Sequence, residues 1–528
     1  MTTIDQADVI AFLASPATYG GAAVERIDTH AAVVCLAGQR AYKLKRAVRF
    51  DYLDFSTPER RRTSCEDEVR LNRRTAPDLY LGVLAITREP DGSLAIDGQG
   101  DPVDWVVEMR RFDQALLFDR LAGAGRLEVD AMAPLADAIA RFHATAEPRR
   151  DHGGAAGMAW VVDGNADGLA DFGADMLDPA AVARLIDASR VELARGRDRL
   201  EARRLDGFVR HCHGDLHLRN IVLLDGHPTL FDGVEFNDEI ACIDVLYDVA
   251  FLLMDLWRRD LPHHANRVWN RYLGETDEID GIALLPLFLS CRAAVRAKTS
   301  TTAARFQTDA AQRRATEDLA RDYLAMAERL LRPLPPGLLA IGGLSGTGKS
   351  TLALALAPTF GPVPGAVVVR SDEIRKRLCG VGPLDRLGHE GYTPEVDARV
   401  YATLVERAGR IVRAGHCAIV DAVYARPEDR AAIERVAAEA AVPFVGIWLD
   451  APEPLLVARV DGRVDDASDA DAAVVRRQHT RDIGPLGGWS RLEASGSPDQ
   501  VCASAQGIAR ARFPDPDAGG AGVAAPPV

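Results

Sequence analysis

Short apolar runs alternate with amphipathic segments throughout the C-terminal part of the chain. The runs cover residues 338–342, 366–370, 418–421 and 444–449, and each has the length of a single strand. Between them, for example over 401–412, apolar residues recur at the three- and four-residue spacing of a helix. Continuous apolar strands separated by amphipathic helices predict a parallel sheet covered on both faces, which is an α/β domain.

The N-terminal part follows a different pattern. Extended segments at 31–37 and 40–45 are joined at Gly38, a residue type that permits a tight turn. Farther along, apolar residues such as Leu135 and Ile139 fall on one helical stripe. A sheet-rich lobe followed by a helical lobe predicts an α+β domain.

A proline-rich stretch at 333–337 separates the two patterns. Proline lacks a backbone donor and stiffens a connection between domains. Residues 514–528 are rich in proline, glycine and alanine, which predicts a disordered tail. We therefore expect a first domain at 1–332, a linker at 333–337, a second domain at 338–513 and a tail at 514–528.

Composition narrows the possible functions only slightly. The chain has 528 residues, which is too long for one compact core, and its net charge of −14 argues against a general binder of nucleic acids or anionic membranes. The 8 cysteines show no C-x-x-C spacing, so neither a zinc site nor a disulfide framework is indicated. The N-terminus does not look like a secretory signal and no apolar run reaches membrane-spanning length, so we expect a cytoplasmic protein.

The most specific motif is a phosphate-binding P-loop after the strand at 338–342. It consists of Gly343, Leu344, Ser345, Gly346, Thr347, Gly348, Lys349 and Ser350, with Thr351 in the helix that follows. Its glycines allow backbone N–H groups to surround phosphate oxygens at the start of a helix. We expect Lys349 to reach the β- and γ-phosphates of ATP, and the Ser350 hydroxyl to bind Mg²⁺.

Three further features favour a kinase over a simple ATPase. Asp372 follows the second strand, where a carboxylate can accept the proton of an acceptor hydroxyl, although it could also cap a helix. Asp421 ends the third strand and could hold Mg²⁺ through water. Arg459 and Arg463 lie four residues apart on a predicted helix, where they could clamp the transferring phosphoryl group or simply face solvent.

Together with the string at 465–470, these residues look like the lid of small P-loop kinases. Over about residues 338–513 the chain resembles the gluconate-kinase, chloramphenicol-phosphotransferase and zeta-toxin-like group of P-loop kinases. The resemblance implies that Asp372 contacts the acceptor hydroxyl.

The N-terminal part contains a second informative string at 213–220, H-G-D-L-H-L-R-N. Asp215 and Asn220 have the spacing of a protein-kinase catalytic loop, in which the Asp orients the acceptor and the Asn holds metal. Asp232 follows an apolar strand, where kinase folds place a metal-binding Asp. Oxygen ligands of this kind suit Mg²⁺.

This string, with the later Asp, closely resembles that of the aminoglycoside phosphotransferase family, and the resemblance covers roughly residues 20–300. It implies that Lys43 pairs with the α- and β-phosphates of ATP and that Glu68 holds this lysine. It also implies that Glu108 and Met109 form a hinge that contacts adenine. Rivals remain for two of these roles, namely Lys45 for the lysine, and Glu66 and Asp67 for the acid.

Four other residues near the loop have supporting roles in this interpretation. His213 and His217 are expected to be structural hydrogen-bond partners rather than metal ligands. Asp244 and Asp248 are expected to brace the catalytic loop, as acids near this place do in the family. No clear G-x-G-x-x-G motif precedes Lys43, which weakens the assignment of a phosphate cover.

The two halves together resemble bacterial fused proteins described as bifunctional aminoglycoside phosphotransferase/ATP-binding proteins with an AAA label. We therefore expect a bifunctional ATP-dependent phosphotransferase that uses ATP and Mg²⁺ on small-molecule hydroxyl acceptors. One alternative gives the P-loop half a polynucleotide 5′-end as its substrate. Another makes one half a nucleotide-sensing regulatory module.

Overall fold

The computed structural model describes residues 6–50, 53–382, 385–462 and 468–513. The chain forms two compact units. The first contains the residues up to Arg259 together with Leu287–Glu328, and the second contains Asp260–Pro286 together with the residues from Arg329 onward. The predicted tail at 514–528 lies outside the described residues.

The strands of the first unit are β1 (Val24–Asp28), β2 (Ala32–Ala37), β3 (Arg40–Lys45), β4 (Arg49–Phe50), β5 (Leu53–Asp54), β6 (Tyr80–Arg88), β7 (Leu94–Ile96), β8 (Asp101–Arg110), β9 (Val209–His211), β10 (Ile221–Leu224), β11 (His227–Leu230) and β12 (Cys242–Asp244). The helices up to residue 330 are α1 (Gln6–Ala14), α2 (Pro58–Asn72), α3 (Phe118–Gly123), α4 (Met132–Thr145), α5 (Gly154–Gly173), α6 (Pro179–Leu205), α7 (Asp238–Ala241), α8 (Val245–Arg258), α9 (Pro262–Thr276), α10 (Leu285–Phe306) and α11 (Ala310–Leu330).

The first unit has the predicted α+β arrangement. Six antiparallel strands form a sheet in the order β1-β2-β3-β8-β6-β7, and most of the helices follow it in sequence. Helix α2 packs against this sheet, and its Cys65 and Val69 join a hydrophobic core with Val107 of β8. This packing determines which face of α2 is turned toward β3. The first candidate site lies between that face and β3.

The second unit contains the predicted parallel sheet. Its strands are β13 (Leu338–Gly343), β14 (Val367–Arg370), β15 (Ala418–Asp421), β16 (Phe444–Asp450) and β17 (Ser490–Glu493), paired in parallel in the order β14-β15-β13-β16-β17. Its later helices are α12 (Lys349–Leu356), α13 (Ser371–Leu378), α14 (Pro394–Arg413), α15 (Pro427–Glu439), α16 (Glu453–Asp461), α17 (Ala472–His479) and α18 (Pro498–Arg510). All of β13 is buried, as its continuous apolar run predicts for a central parallel strand.

Helix α9 belongs to the second unit because it completes the edge of β14. Asn270 Nδ2 donates to Ala366 O at 3.1 Å, and Asn270 Oδ1 accepts from Val368 N at 2.7 Å, as a neighbouring strand would do. Asn266 Nδ2 donates to Pro364 O and to Ala366 O, each at 3.1 Å. Two side-chain amides thus satisfy backbone groups that the edge strand would otherwise leave without partners.

The segment that contains α9 also contacts α14 by ion pairs. Arg407 Nη1 lies 2.6 Å from Asp277 Oδ1, and Arg410 Nη2 lies 2.9 Å from Asp280 Oδ2. The predicted boundary at 333–337 lies close to Glu328, where the first unit ends. The sequence did not predict that the earlier segment Asp260–Pro286 also belongs to the second unit. The amphipathic pattern of α9 indicates a helix without indicating which core the helix joins.

Among the described residues, no helix has both the length and the apolar character needed to cross a membrane.

We predict that Asn270→Leu loosens the edge of β14. The substitution leaves Val368 N without its acceptor, whereas Ala366 O keeps its hydrogen bond from Asn266. An unsatisfied buried backbone group costs about 1–3 kcal/mol. Hydrogen exchange measured by mass spectrometry should show faster exchange of the Val368 amide.

Arg271→Ala on the same helix is the matched control. It removes a partly exposed ion pair with Glu275 at 3.0 Å, which is worth about 0.5 kcal/mol or less. Exchange of Val368 that is equally slow in both variants would contradict the assigned role of Asn270.

Candidate active sites

In the first unit, two lysines of β3 meet one buried carboxylate of α2. Lys43 Nζ lies 2.8 Å from Glu68 Oε1, and Lys45 Nζ lies 2.6 Å from Glu68 Oε2. The lysines share a face because side chains alternate along a strand. The Glu68 side chain is 0% exposed, whereas Glu66 and Asp67 pair with arginines at the surface. Glu68, and neither of its rivals, therefore lies beside the lysines.

The two lysines differ in their second partner. Lys43 Nζ lies 2.5 Å from Oδ1 of Asp232, the predicted metal carboxylate. Lys45 Nζ lies 2.5 Å from Glu235 Oε1, which also accepts a hydrogen bond from Ser64 Oγ at 3.0 Å. The side chain of Lys45 is 2% exposed, against 16% for Lys43. Lys43 therefore lies beside the predicted ligand residues, and Lys45 is a buried support behind it.

Charge pairing controls ionisation in this cluster. Burial would raise the pKa of Glu68, but Lys43 and Lys45 together lower it to about 2. Burial raises the pKa of Glu235 above its ordinary value, although Lys45 acts against that rise. Burial lowers the pKa of each lysine, but the neighbouring carboxylates outweigh it and raise both values above the ordinary one. The lysines consequently remain charged.

The predicted catalytic loop is held by carboxylates of α8. Asp248 accepts hydrogen bonds from His213 N at 3.1 Å and from Gly214 N at 2.9 Å. Asp255, which the sequence interpretation missed, accepts from Leu218 N at 3.1 Å. Asp248 thus braces the loop as expected. The spacing of seven residues between the two acids places them on one helical face, which is the signal that could have identified Asp255.

Asp244 has a different role from the expected one. Its carboxylate pairs with Arg203 at 2.7 and 2.9 Å and accepts from Leu246 N at 2.8 Å. The prediction that Asp244 braces the catalytic loop is wrong, because as the N-cap of α8 it directs its side chain to its own helix and to α6.

Asp215 and Asn220 are joined within the loop. Asn220 Nδ2 donates to Asp215 Oδ2 at 3.0 Å and to Asp215 O at 2.9 Å. The Asp215 side chain is 40% exposed and that of Asp232 is 43% exposed, so both carboxylates can be reached by a substrate or an ion. The amide oxygen of Asn220 and the carboxylate of Asp232 form a donor set that fits Mg²⁺. Their metal-binding roles remain predictions.

The backbone around Asp232 is held in an unusual conformation. Its φ is 60°, in the left-handed region that aspartate tolerates better than most residues. Asp232 N donates to Tyr80 Oη at 3.0 Å, and Gly233 N donates to Asn72 Oδ1 at 2.7 Å. Strained residues of this kind cluster at functional sites, where surrounding bonds hold them.

Both loop histidines act as hydrogen-bond partners, as the sequence interpretation expects. His217 Nε2 lies 3.4 Å from Asp215 Oδ2, and His213 Nε2 pairs with Phe231 O at 2.9 Å. Burial would raise the pKa of Asp215, but His217 and His213 hold it below its ordinary value. An ionised Asp215 can accept a hydrogen bond from an acceptor hydroxyl.

The predicted adenine hinge lies within a strand. Glu108 and Met109 have partners on both sides, in β3 and in β6, and β8 continues to Arg110. Met109 is buried in the core beside Ala41. Their contact with adenine remains a prediction, but these residues lie before the end of the strand rather than after it.

In the second unit, the P-loop connects β13 to α12, as its motif predicts. Gly346 and Gly348 have φ values of 86° and 89°, which side chains rarely allow. A Cβ atom at Gly346 would lie 2.7 Å from Leu456 O, so this position also lacks space for a side chain. Lys349 Nζ donates to Leu344 O at 3.0 Å, which holds the ammonium over the loop.

The P-loop hydroxyl and the strand carboxylate meet directly. Ser350 Oγ donates to Asp421 Oδ2 at 2.5 Å. Asp421 ends β15 and lies opposite Ile341 of β13 and Arg370 of β14. A hydroxyl and a carboxylate so placed fit a Mg²⁺ site, with Ser350 as a direct ligand and Asp421 acting through water. These two roles stay predictions.

Asp372 lies close to the same group. It is the second residue of α13, whose N-cap is Arg370, so the alternative that Asp372 caps this helix is wrong. Burial raises the pKa of Asp372 above its ordinary value, and the negative charge of Asp421 adds to the rise. Lys349, Arg370 and a hydrogen bond with Ser468 act in the opposite direction. A raised pKa suits a carboxylate that accepts a proton.

The arginine clamp is described only in part. Arg459 is half-buried in α16, three residues after Leu456, whose carbonyl lies against the P-loop. Arg463 and the acids Asp465 and Asp466 lie outside the described residues. The clamp therefore stays a prediction.

A polar cluster near Asp372 was missed in the sequence. Tyr392 Oη donates to Asp469 Oδ2 at 2.9 Å, and Lys376 Nζ lies 3.3 Å from Asp469 Oδ1. The Arg375 guanidinium lies 4.8 Å from the centre of the Tyr392 ring. Arg375 and Lys376 follow Asp372 by three and four residues, so they share its helical face, and that spacing could have revealed them.

Comparison with known proteins supports kinase-type halves. A model of the AAA domain family matches residues 338–482, and a model of the phosphotransferase enzyme family matches residues 44–285. The uncharacterized protein Rv2004c of Mycobacterium tuberculosis is 33% identical over 476 residues, which cover 87% of this chain and 90% of that protein.

Two other proteins are similar to part of the chain. The adenylyl-sulfate kinase of Myxococcus xanthus is 32% identical over 123 residues, or 23% of this chain and 62% of that protein. A choline/ethanolamine kinase family protein from Mesorhizobium loti is 14% identical by structural comparison. That match covers 62% of this chain and 95% of the other, with a TM-score of 0.38.

We predict that the two β3 lysines separate in function. Lys45→Met should destabilise the first unit by about 3–5 kcal/mol, because it leaves buried Glu235 without its ammonium partner. Lys43→Met should cost less stability, since Asp232 is partly exposed, but it should abolish nucleotide binding at this site. Thermal unfolding and Mg²⁺–AMPPNP binding, both in a Lys349→Ala background, measure the two effects. Retained binding in Lys43→Met with loss in folded Lys45→Met would assign the phosphate role to Lys45.

We also predict that Asp372→Asn stabilises the second unit at neutral and alkaline pH. Because the folded state raises the pKa of Asp372, its ionised form costs stability above that pKa, and the cost vanishes as pH falls below the ordinary value of 3.8. The rise in Tm should therefore be larger at about pH 8 than at about pH 4. Asp499→Asn, at an exposed position in α18, is the matched control. A Tm gain that grows toward acid would contradict the assignment.

Proposed function

The chain belongs to a family of proteins that join a phosphotransferase-family domain to a P-loop kinase domain, and on that premise we propose that it is a bifunctional ATP-dependent phosphotransferase. Each half transfers the γ-phosphoryl group of ATP to a hydroxyl of a small molecule. One observation, made in both halves, carries the proposal. In the first half Lys43 lies beside Asp232, and Asn220 is bonded to Asp215. In the second half Ser350 is bonded to Asp421, and Asp372 feels the charges of Asp421 and Lys349.

In the first half, Lys43 binds the α- and β-phosphates, and Glu68 fixes its position. Asp215 accepts the hydrogen bond of the acceptor hydroxyl and orients its oxygen toward the γ-phosphate. The bonds from Asp248 keep the backbone of this loop rigid, so the geometry is set before the substrate binds. Asn220 and Asp232 hold the cation.

In the second half, the P-loop amides and Lys349 bind the phosphates, and Ser350 with Asp421 holds the cation. Asp372 accepts the acceptor proton, which its raised pKa favours. A Mg²⁺ ion held by Asn220 and Asp232, or by Ser350 and Asp421, would supply positive charge to neutralise the phosphates during transfer.

The acceptor of the P-loop half is a small molecule in this proposal. The adenylyl-sulfate kinase among the relatives bears the name of a small-molecule acceptor. Arg375, Lys376 and Tyr392 give the surroundings of Asp372 several polar groups that can select a hydrophilic acceptor. Net charge of −14 disfavours a long polyanion as the alternative acceptor.

The experiment is a phosphorylation screen with γ-labelled ATP and pools of hydroxyl-containing metabolites, with 5′-hydroxyl oligonucleotides as a separate arm. Wild type should label at least one compound. Asp215→Asn should remove labelling by the first half and Lys349→Ala labelling by the second, each by about 10²-fold or more.

The double variant is the control, and it should label nothing. The proposal fails if neither single variant lowers labelling of any acceptor. If one variant removes all labelling, the half that it leaves intact does not phosphorylate any acceptor. If that intact half still binds nucleotide, it is a nucleotide-sensing module. Labelling confined to oligonucleotides would instead establish the 5′-end kinase activity.

A further inference from the structure

The side chain of Gln478 in helix α17 contacts the P-loop. Gln478 Oε1 accepts a hydrogen bond from Ser345 N at 2.8 Å. Val475, three residues earlier, is 0% exposed and packs in the core of the second unit with Leu456 and Val460. Val475 and Gln478 share a helical face, so the core anchors the face that carries Gln478.

The next P-loop residue meets the preceding helix. Gly346 lies against Leu456 of α16, where an added Cβ atom would approach the Leu456 carbonyl oxygen to 2.7 Å. The helices α16 and α17 therefore contact two successive residues of the loop. Helix α16 also carries Arg459, one of the two residues of the predicted phosphoryl clamp.

Backbone amides in such a loop are the groups that bind phosphate oxygens. One of these amides, Ser345 N–H, already donates to the neutral oxygen Gln478 Oε1, and Ser345 is only 7% exposed. Ser345 precedes the helical end of the loop, where the backbone amides of Gly348 and Lys349 are placed for the inner phosphates while the Lys349 ammonium reaches the β- and γ-phosphates. Its amide is therefore placed for the outer, γ-phosphate end of a nucleotide.

A carboxamide has an acceptor on one side and two N–H donors on the other. When a phosphate oxygen takes the Ser345 N–H, rotation of the Gln478 amide turns its Nε2 donors toward that oxygen. The last turn of α17 also carries Arg476, Arg477 and His479, whose positive charge offsets the partial negative charge of the helix C-terminus.

We propose that Gln478 is a residue of the P-loop nucleotide site that releases Ser345 N–H when ATP binds and donates its own amide N–H to the γ-phosphate. This proposal rests on the proposed function, because it requires ATP in the P-loop. It makes Gln478 a residue that distinguishes ATP from ADP. If the contact of Gln478 only held α17 against the P-loop, its loss would affect ATP and ADP binding equally.

The test measures binding of Mg²⁺–AMPPNP and Mg²⁺–ADP to the full-length chain by calorimetry. Binding that Lys349→Ala removes is taken as the P-loop component. The variants are Gln478→Leu, which loses both functions of the amide, and Gln478→Glu, which keeps an acceptor for Ser345 N–H but has no donor.

Gln307→Leu is the matched control. Gln307 is also half-buried, and its Oε1 accepts one hydrogen bond, from Thr316 Oγ1 at 3.0 Å, in the first unit. The same substitution at this position should leave the affinity of the P-loop for both nucleotides unchanged.

Gln478→Leu should weaken AMPPNP at the P-loop about 3- to 10-fold, with ADP affinity changed by about twofold or less. Gln478→Glu should weaken AMPPNP binding more than Gln478→Leu does, because its carboxylate repels the γ-phosphate. Without nucleotide, the carboxylate can still accept the hydrogen bond from Ser345 N.

Equal changes for both nucleotides, or no change for either, would overturn the proposal and leave Gln478 as a docking contact. Wild type without any Lys349-dependent binding would instead overturn the proposed function of this half, and the role of Gln478 with it.

Discussion

The parallel register of β14, β15 and β13 is the constraint on which the P-loop half depends. Asp421 lies opposite Ile341 in one neighbouring strand and opposite Arg370 in the other. Because the strands run in the same direction, the P-loop, Asp421 and Asp372 all follow strand ends at one edge of the sheet. A slip of one residue would turn Asp421 to the other face and break its bond to Ser350. The amides of α9 protect this register, since they hold the outer edge of β14 just ahead of Asp372.

The first half reaches a similar arrangement with an antiparallel sheet and a loop held by buried carboxylates. Glu68 fixes the lysines of β3, and Asp248 with Asp255 fixes the loop from α8. The chain then leaves this unit directly after α8, and the next helix, α9, belongs to the P-loop unit. A cut at the proline-rich linker would consequently separate the P-loop half from the helix that completes its sheet. The motifs of the two halves follow one another in the sequence, but the segments that form the two units alternate along it.

Much of this could be predicted from the sequence, because the decisive signals are local. The apolar runs at 338–342 and 418–421 coincide with β13 and β15 to within one residue, and both motifs lie where strand ends require them. Other features depend on tertiary packing that periodicity does not encode. Edge strand β17 alternates half-buried and exposed residues and was missed, and α9 has an apolar face that fits either core. Lys43 and Lys45 share one strand face, so only the positions of Asp232 and Glu235 distinguish them.

The central claim is that one chain holds two independent nucleotide sites built for phosphoryl transfer. Its most direct test is the stoichiometry of Mg²⁺–AMPPNP bound per chain at saturation, measured by equilibrium dialysis. We expect two nucleotides per chain in wild type, one in Lys349→Ala, one in Lys43→Met and none in the double variant. A wild-type chain that binds only one nucleotide, or a single variant that loses both, would contradict it.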